Sequence, residues 1–135
     1  MPIYEMYLEL LKYQDQCEIV GIGIEKVHAV PGASAGSSFK FGYNYGAIVA
    51  LLSTLGGSIY DITPKGWQKY IGLSIPSGLS KPARRKRIKK GVGEICTKLY
   101  PRVNVYGVRG GLIDGKSDSL CIAHTILHTQ HLDKL

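Results

Sequence analysis

The hydrophobic pattern of the first 25 residues changes from a helical to a strand-like period. Apolar residues recur every three or four positions over residues 4–14, which predicts a short amphipathic helix. Residues 19–24 are apolar or small at every position, as is typical of a strand buried on both faces in a parallel or mixed sheet. We therefore expect a buried strand over residues 17–25 that ends at Glu25.

The next elements are marked by capping and breaking residues. Small residues over positions 31–36 indicate a loop, and Ser37 or Ser38 can cap a helix that runs to about residue 55 before two glycines. A short strand is predicted over residues 58–62. Thr63 followed by Pro64 then predicts a helix start, with threonine as N-cap and proline at the first helical position.

The second half of the chain predicts two longer helices. Residues 71–80 are rich in glycine, serine and proline and indicate a mobile loop, after which residues 81–100 form a basic helix that Pro101 ends. A brief strand over residues 103–108 and a last helix over residues 115–132 complete the prediction. Helices that alternate with strands indicate an α/β or α+β layered fold.

Length and composition restrict the class of protein. At 135 residues the chain fits one domain spanning 1–135, and 44% hydrophobic residues exclude intrinsic disorder. No apolar run approaches the roughly 20 residues that cross a bilayer, and the N-terminus lacks the pattern of a secretory signal. We therefore expect a cytoplasmic protein without a membrane partner. We expect its three widely spaced cysteines, Cys17, Cys96 and Cys121, to be reduced and buried.

The positive charge is concentrated in one segment. Lysines and arginines number 17 against 10 acids, a net charge of +7, and nine of the 17 fall between positions 81 and 102. They are Lys81, Arg84, Arg85, Lys86, Arg87, Lys89, Lys90, Lys98 and Arg102, opposed only by Glu94. Such a cluster repels itself unless a polyanion lies against it, which favours nucleic acid. A solvated helix face or a flexible basic loop is the open alternative.

Three carboxylates carry the candidate chemistry. Glu25 ends a strand, where ligands gather in open α/β sheets, and Asp114 and Asp118 share one helix face as a destabilising like-charge pair. A divalent cation would compensate that charge, and hard oxygen donors suit Mg²⁺ or Mn²⁺. Two such ions can cut a phosphodiester. Helix capping by either aspartate and a solvated Glu25 form the alternative interpretation.

Other chemistry-bearing side chains have plainer interpretations. His124, His128 and His131 form one stripe about 90° around the helix from the aspartates, and a packed or surface row is preferred to a zinc site because no cysteine or carboxylate completes it. His28 and Lys116 are candidate nucleic-acid contacts beside the carboxylates, and an ordinary loop histidine and a solvated surface lysine are the open alternatives. The aromatic residues are interpreted first as core or helix-packing residues and second as stacking platforms: Phe39, Phe41, Tyr43, Tyr45 and Trp67.

The motifs resemble those of the phage and prophage RuvC-like Holliday junction resolvases. Residues 23–32, GIEKVHAVPG, together with SSFKFG at 37–42, are similar to that family's second acidic motif and the helix after it. Thr63-Pro64 with Trp67, and DGKSDSL at 114–120, resemble its later motifs in order and spacing. The resemblance covers nearly the whole chain.

The resemblance implies a fold and an activity. The expected fold is RNase H-like, an α/β mixed sheet flanked by helices, and the expected activity is two-metal hydrolysis of branched DNA such as four-way junctions by a homodimer. Glu25, Asp114 and Asp118 would then be catalytic metal ligands for Mg²⁺ or Mn²⁺.

One family feature has no counterpart here. Family members open with a strand that carries a first catalytic aspartate, whereas Met1-Pro2 aligns after that opening hairpin, so about three strands are expected to be absent. The chain is then either a truncated resolvase of reduced activity or a DNA-binding module whose missing strands come from another chain. The strand before Glu25 would in that case expose one edge to a partner.

Overall fold

The elements follow the predicted order closely. A computed structural model describes residues 2–26, 28 and 31–130. Its described helices and strands are α1 (Ile3–Gln14), β1 (Gly21–Glu25), α2 (Ala35–Ser53), β2 (Ser58–Ile62), α3 (Pro64–Tyr70), α4 (Lys81–Leu99) and α5 (Asp114–Thr129). The mixed α/β class is confirmed, while the RNase H-like arrangement stays a prediction. Contacts divide the chain into two compact units, Met1–Asp61 and Ile62–Leu135.

The first unit is built on a two-stranded parallel sheet. β1 and β2 are neighbours, and α2 lies between them in the sequence. A Cβ at Gly57 would lie 2.7 Å from the Ile19 carbonyl oxygen, so glycine allows the chain to enter β2 close beside β1. All five β1 residues are half-buried, so the prediction of a fully buried strand over residues 17–25 is wrong in both length and burial. The second edge of β1 has no partner strand among the described residues.

Helix α2 is largely exposed in its N-terminal half. Ser34, and not Ser37 or Ser38, caps it by accepting a hydrogen bond from the Ser37 amide at 3.1 Å. Phe39 is 74% exposed and Tyr43 71% exposed, and their rings stack with centroids 6.5 Å apart. Phe41 is also exposed, so the core interpretation is wrong for Phe39, Phe41 and Tyr43. Tyr45 is half-buried.

The second unit holds the hydrophobic core. Its buried cluster consists of Trp67, Val92, Cys96, Val105, Cys121 and Ile122. Helix α5 packs against both α3 and α4. Gly91 and Gly93 are buried where α4 meets its neighbours, and added Cβ atoms would lie 2.6 Å from Leu73 Cδ1 and 2.8 Å from Leu112 Cδ1. These glycines therefore have a packing role that outweighs their poor helix propensity.

Two predictions in this unit have opposite outcomes. Thr63 caps α3 by accepting a hydrogen bond from the Gly66 amide at 3.1 Å, with Pro64 opening the helix, and Trp67 is 1% exposed, as expected. The strand predicted over residues 103–108 is wrong, because the chain makes only one isolated antiparallel bridge, between Tyr106 and Leu112. This narrow hairpin turns at Gly110, whose φ of +75° suits glycine.

The remaining differences concern cysteines and helix ends. Cys96 and Cys121 are buried, but Cys17 is exposed, contrary to expectation; all three are free thiols. Helix α5 ends at Thr129, three residues before the predicted end, and His131 lies outside the described residues. Over the described ranges, no helix combines the length and apolar character needed to span a bilayer.

Candidate functional site

The basic residues lie on the N-terminal part of α4. Ser80 caps this helix by accepting from the Ala83 amide at 3.4 Å, and a proline occupies its first turn. Every lysine and arginine from Lys81 to Lys90 is exposed, so the cationic groups face solvent rather than the core. The first ten residues of α4 therefore present a dense positive surface, which we call the α4 basic surface (residues 81–90).

The α4 basic surface shares a cleft with an aspartate of α5. A cavity of about 510 Å³ is lined by Lys81, Arg84, Arg85, Ile88, Lys89 and Asp118. An adjoining cavity of about 410 Å³ is lined by Lys81, Pro82, Arg85, Lys86 and Lys89. Cationic side chains dominate both linings, so an anionic ligand would meet positive charge on one wall and the Asp118 carboxylate on the other.

Asp114 is tied to the same basic surface by an ion pair. Lys89 Nζ lies 2.5 Å from Asp114 Oδ2, and both side chains are about half exposed. The hydrogen bond from Lys89 and its positive charge hold the pKa of Asp114 below its usual value, and backbone amides at the start of α5 add to this. Lysine therefore supplies part of the charge compensation that the like-charge pair Asp114 and Asp118 requires.

Asp118 lies one turn further along α5, close to two buried thiols. Burial is the main cause that raises the pKa of Cys121 to about 12, and the negative charge of Asp118 raises it further. Burial and Asp118 also raise the pKa of Cys96. The thiols stay protonated at neutral pH, so they are inert core residues and not nucleophiles.

Lys116 has a local structural contact. Its ammonium donates to the Asn104 carbonyl at 2.6 Å, which joins the first turn of α5 to the segment before the hairpin. This contact occupies one of the three ammonium hydrogens, so Lys116 retains the donors needed for a phosphate.

Glu25 and His28 belong to the first unit. Glu25 is the last residue of β1, as predicted, and is half-buried, while His28 is exposed in the segment after it. Within the part of the chain that the structure describes, no group of three or more histidine, cysteine, aspartate or glutamate side chains is arranged to hold a metal ion. The structure thus brings the α5 aspartates to the α4 basic surface, and it describes Glu25 only within its own unit.

A polar aromatic cluster lies at the other end of α5. His124 Nδ1 and the Tyr100 hydroxyl are 2.9 Å apart, and the two rings meet edge to face with centroids 5.8 Å apart. The His128 ring follows at 4.4 Å and the Tyr70 ring lies at 6.2 Å from His124. Burial and the neighbouring His128 lower the pKa of His124, which keeps its ring neutral at pH 7.

Sequence reasoning missed several of these contacts. Tyr100 and His124 are 24 residues apart, and no local pattern pairs them. The same is true of Lys89 and Asp114. The Phe39–Tyr43 stack, in contrast, had a visible signal, since both aromatics fall at i, i+4 on one helix face beside few other large apolar residues.

Comparison of the sequence with protein-family models and with curated proteins finds no match.

Proposed function

We propose that the protein is a metal-dependent endonuclease that acts on branched DNA, in the manner of the RuvC-like Holliday junction resolvases it resembles. The observation that carries this proposal is the cleft in which the α4 basic surface faces Asp118, beside the Lys89–Asp114 ion pair. A nuclease needs cations to hold a phosphodiester backbone and carboxylates next to the bond that breaks. Both kinds of group line this one cleft.

The donor set suits a hard divalent cation. Asp114 and Asp118 offer carboxylate oxygens of the kind that Mg²⁺ and Mn²⁺ take, and Glu25 would complete the set by the family resemblance. When bound, the cations would activate water and stabilise the leaving oxygen. Lys81, Arg84 and Arg85 would hold the phosphates of the two duplex arms. His28 and Lys116 would contact the DNA beside the cut.

Lys89 has a double role in this proposal. In the free protein its ammonium pairs with Asp114, which limits repulsion between the two aspartates. A phosphate in the cleft competes for the same ammonium, and a cation at Asp114 is then no longer repelled by it. Substrate binding and cation binding would therefore favour each other at this cleft.

We further propose that the working form is a homodimer, since a four-way junction presents two symmetric strands to cut. The exposed aromatic half of α2 supports an interface there, because large apolar side chains clustered on a surface mark interaction sites. The edge of β1 that has no partner strand among the described residues offers a second place for a strand of another chain. Sedimentation velocity of wild type and of Phe39→Ser with Tyr43→Ser tests this, and a wild-type monomer would refute it.

A DNA-binding module without catalysis is the second candidate. It is favoured by the Lys89–Asp114 ion pair, which satisfies one carboxylate without a metal, and by the absence of a three-ligand group among the described side chains. The two candidates share the basic surface and differ in whether a bond is cut.

One experiment separates them. A labelled four-way junction is incubated with the protein and Mg²⁺ or Mn²⁺, and both cleavage and binding are measured for wild type, Asp118→Asn and Glu25→Gln. Asp15→Asn, a change of an exposed aspartate after α1, is the matched control. Metal-dependent cutting by wild type and Asp15→Asn that is lost in Asp118→Asn and Glu25→Gln supports the nuclease. Tight binding without cutting supports the module, and no junction binding refutes both.

A further inference from the structure

The hairpin between α4 and α5 carries the most exposed large apolar side chain among the described residues. Val108, at its tip, is 109% exposed, and Tyr106 and Ile113 at its base are 38% and 46% exposed. Arg109 is also exposed and is the only charged residue between positions 105 and 113. The tip therefore combines an uncovered apolar group with one positive charge and no acid, which suits a partner that offers both apolar surface and anions.

The base of this hairpin is fixed to the core of the second unit. The Ile113 amide donates to the Val105 carbonyl at 2.8 Å, and the Val105 side chain is fully buried. Within the hairpin, the Gly107 amide donates to the Gly111 carbonyl at 2.7 Å, and Leu112 packs against the core cluster. A tip on a fixed base loses little conformational freedom when it binds, so its side chains are already placed for a contact.

The hairpin stands beside the α4 basic surface. A cavity of about 340 Å³ lies between the two, and it is lined by Lys86, Lys89, Lys90, Glu94, Tyr106 and Leu112. Val108 precedes Asp114 by six residues, so their Cα atoms are at most about 21 Å apart, which is about six base pairs of duplex. The tip is therefore close enough to contact the same stretch of DNA that the α4 basic surface would hold.

We propose that the tip of this hairpin recognises the branch point of a branched DNA, with Val108 against the face of a base pair and Arg109 on a neighbouring phosphate. The inference rests on the proposed function, because it names the part of that substrate which the hairpin contacts. In a continuous duplex both faces of every base pair are stacked, so an apolar side chain reaches a base face only by unstacking a step. At a branch point the stack is interrupted, so the same contact costs less there.

The test measures binding by fluorescence anisotropy to a labelled four-way junction and to a linear duplex with the sequence of two of its arms. We expect Val108→Ser to bind the junction about 10-fold more weakly than wild type, the lower end of what burial of a valine side chain contributes, and to bind the duplex equally. Val108→Phe should bind the junction at least as tightly as wild type, because a larger apolar side chain covers more of the base face. Neither change alters the charge, so the salt slopes should stay the same.

Two further variants complete the design. Arg109→Gln should make the salt slope for the junction shallower by about 0.9, the contribution of one phosphate contact, and should leave the slope for the duplex unchanged. Val20→Ser makes the same change as Val108→Ser at an exposed valine outside the hairpin, and it should bind both DNAs like wild type. Circular dichroism checks that helix content is equal in all variants.

The outcomes separate this inference from the proposed function. If Val108→Ser binds the junction as tightly as wild type, or weakens junction and duplex binding equally, the hairpin inference is wrong, while cleavage of the junction by wild type decides the nuclease proposal separately. If wild type does not bind the junction, both are wrong. Self-association of the protein that Val108→Ser abolishes in sedimentation velocity would identify a second copy as the partner of the tip, and would also overturn the inference.

Discussion

Removal of two charges from the cleft side of α4 should weaken junction binding far more than removal of two charges from its other side. Arg84 and Arg85 line the cleft that contains Asp118. At 100° per residue, Arg87 and Lys90 are centred about 140° around the helix from that pair. The variants Arg84→Gln/Arg85→Gln and Arg87→Gln/Lys90→Gln both lower the net charge from +7 by two, so total charge is matched.

The magnitude follows from counterion release. Each phosphate contact contributes about −0.9 to the slope of log K against log salt, so loss of two contacts should make the slope shallower by about 1.8. If wild type and the Arg84→Gln/Arg85→Gln variant bind the junction equally at 1 M salt, loss of the two contacts should weaken the variant's binding about 60-fold at 0.1 M. The control variant Arg87→Gln/Lys90→Gln should change the slope by less than about half of the contribution of one phosphate contact.

Fluorescence anisotropy of a labelled four-way junction at several salt concentrations measures both quantities. Circular dichroism checks that helix content is equal, which is expected because all four side chains are exposed. Equal slopes in the two variants would refute the reasoning, because binding would then depend on overall charge and not on the cleft.

Three further predictions concern the second unit and the thiols. Trp67→Ala should lower the free energy of unfolding by about 3–5 kcal/mol in a denaturant titration, because the indole is fully buried in the core. A thiol reagent at pH 8 should modify Cys17 rapidly, and Cys121 only on unfolding, since that thiol is buried and its pKa is about 12. In an NMR pH titration, Lys89→Gln should raise the pKa of Asp114 towards its ordinary value. The stabilisation from the Lys89–Asp114 ion pair is complete above the Asp114 pKa of the unfolded chain, about 3.8, and is lost as pH falls through the lower Asp114 pKa of the folded protein. An unchanged Asp114 titration in Lys89→Gln would contradict the ion pair.

Local signals explain which elements could be predicted. The start of α3 depends on Thr63 and Pro64, which act within one helical turn, so sequence alone locates it. β2 (Ser58–Ile62) was predicted with the same bounds, since glycines precede it and the capping threonine follows it. The segment at residues 103–108 has a strand-like alternation, but a strand also needs a partner of comparable length, and the chain supplies only a narrow hairpin.

Burial could not be predicted as well as element type. The pattern around Phe39 and Tyr43 shows a helix with large apolar side chains, but it does not show which surface covers them. The same limit applies to β1, whose apolar residues fit a strand covered on both faces while the structure half-buries all of them. Element type depends on neighbours in sequence, whereas burial depends on what packs against the element.

The charge partner of Asp114 shows the same limit at the candidate site. In the sequence, two aspartates four residues apart repel each other on one helix face, so a positive partner is expected. Their spacing favours a metal cation as that partner. Packing of α4 against α5 brings Lys89 to Asp114, although the two are 25 residues apart in the sequence. No rule based on sequence spacing pairs residues at that separation. The pair does not remove the case for a cation, because one ammonium serves one oxygen of Asp114 and the Asp118 carboxylate still faces the cleft. It does change how a cation would bind with both aspartates, since the ammonium of Lys89 repels a cation at Asp114. A phosphate in the cleft is the group best placed to draw that ammonium away.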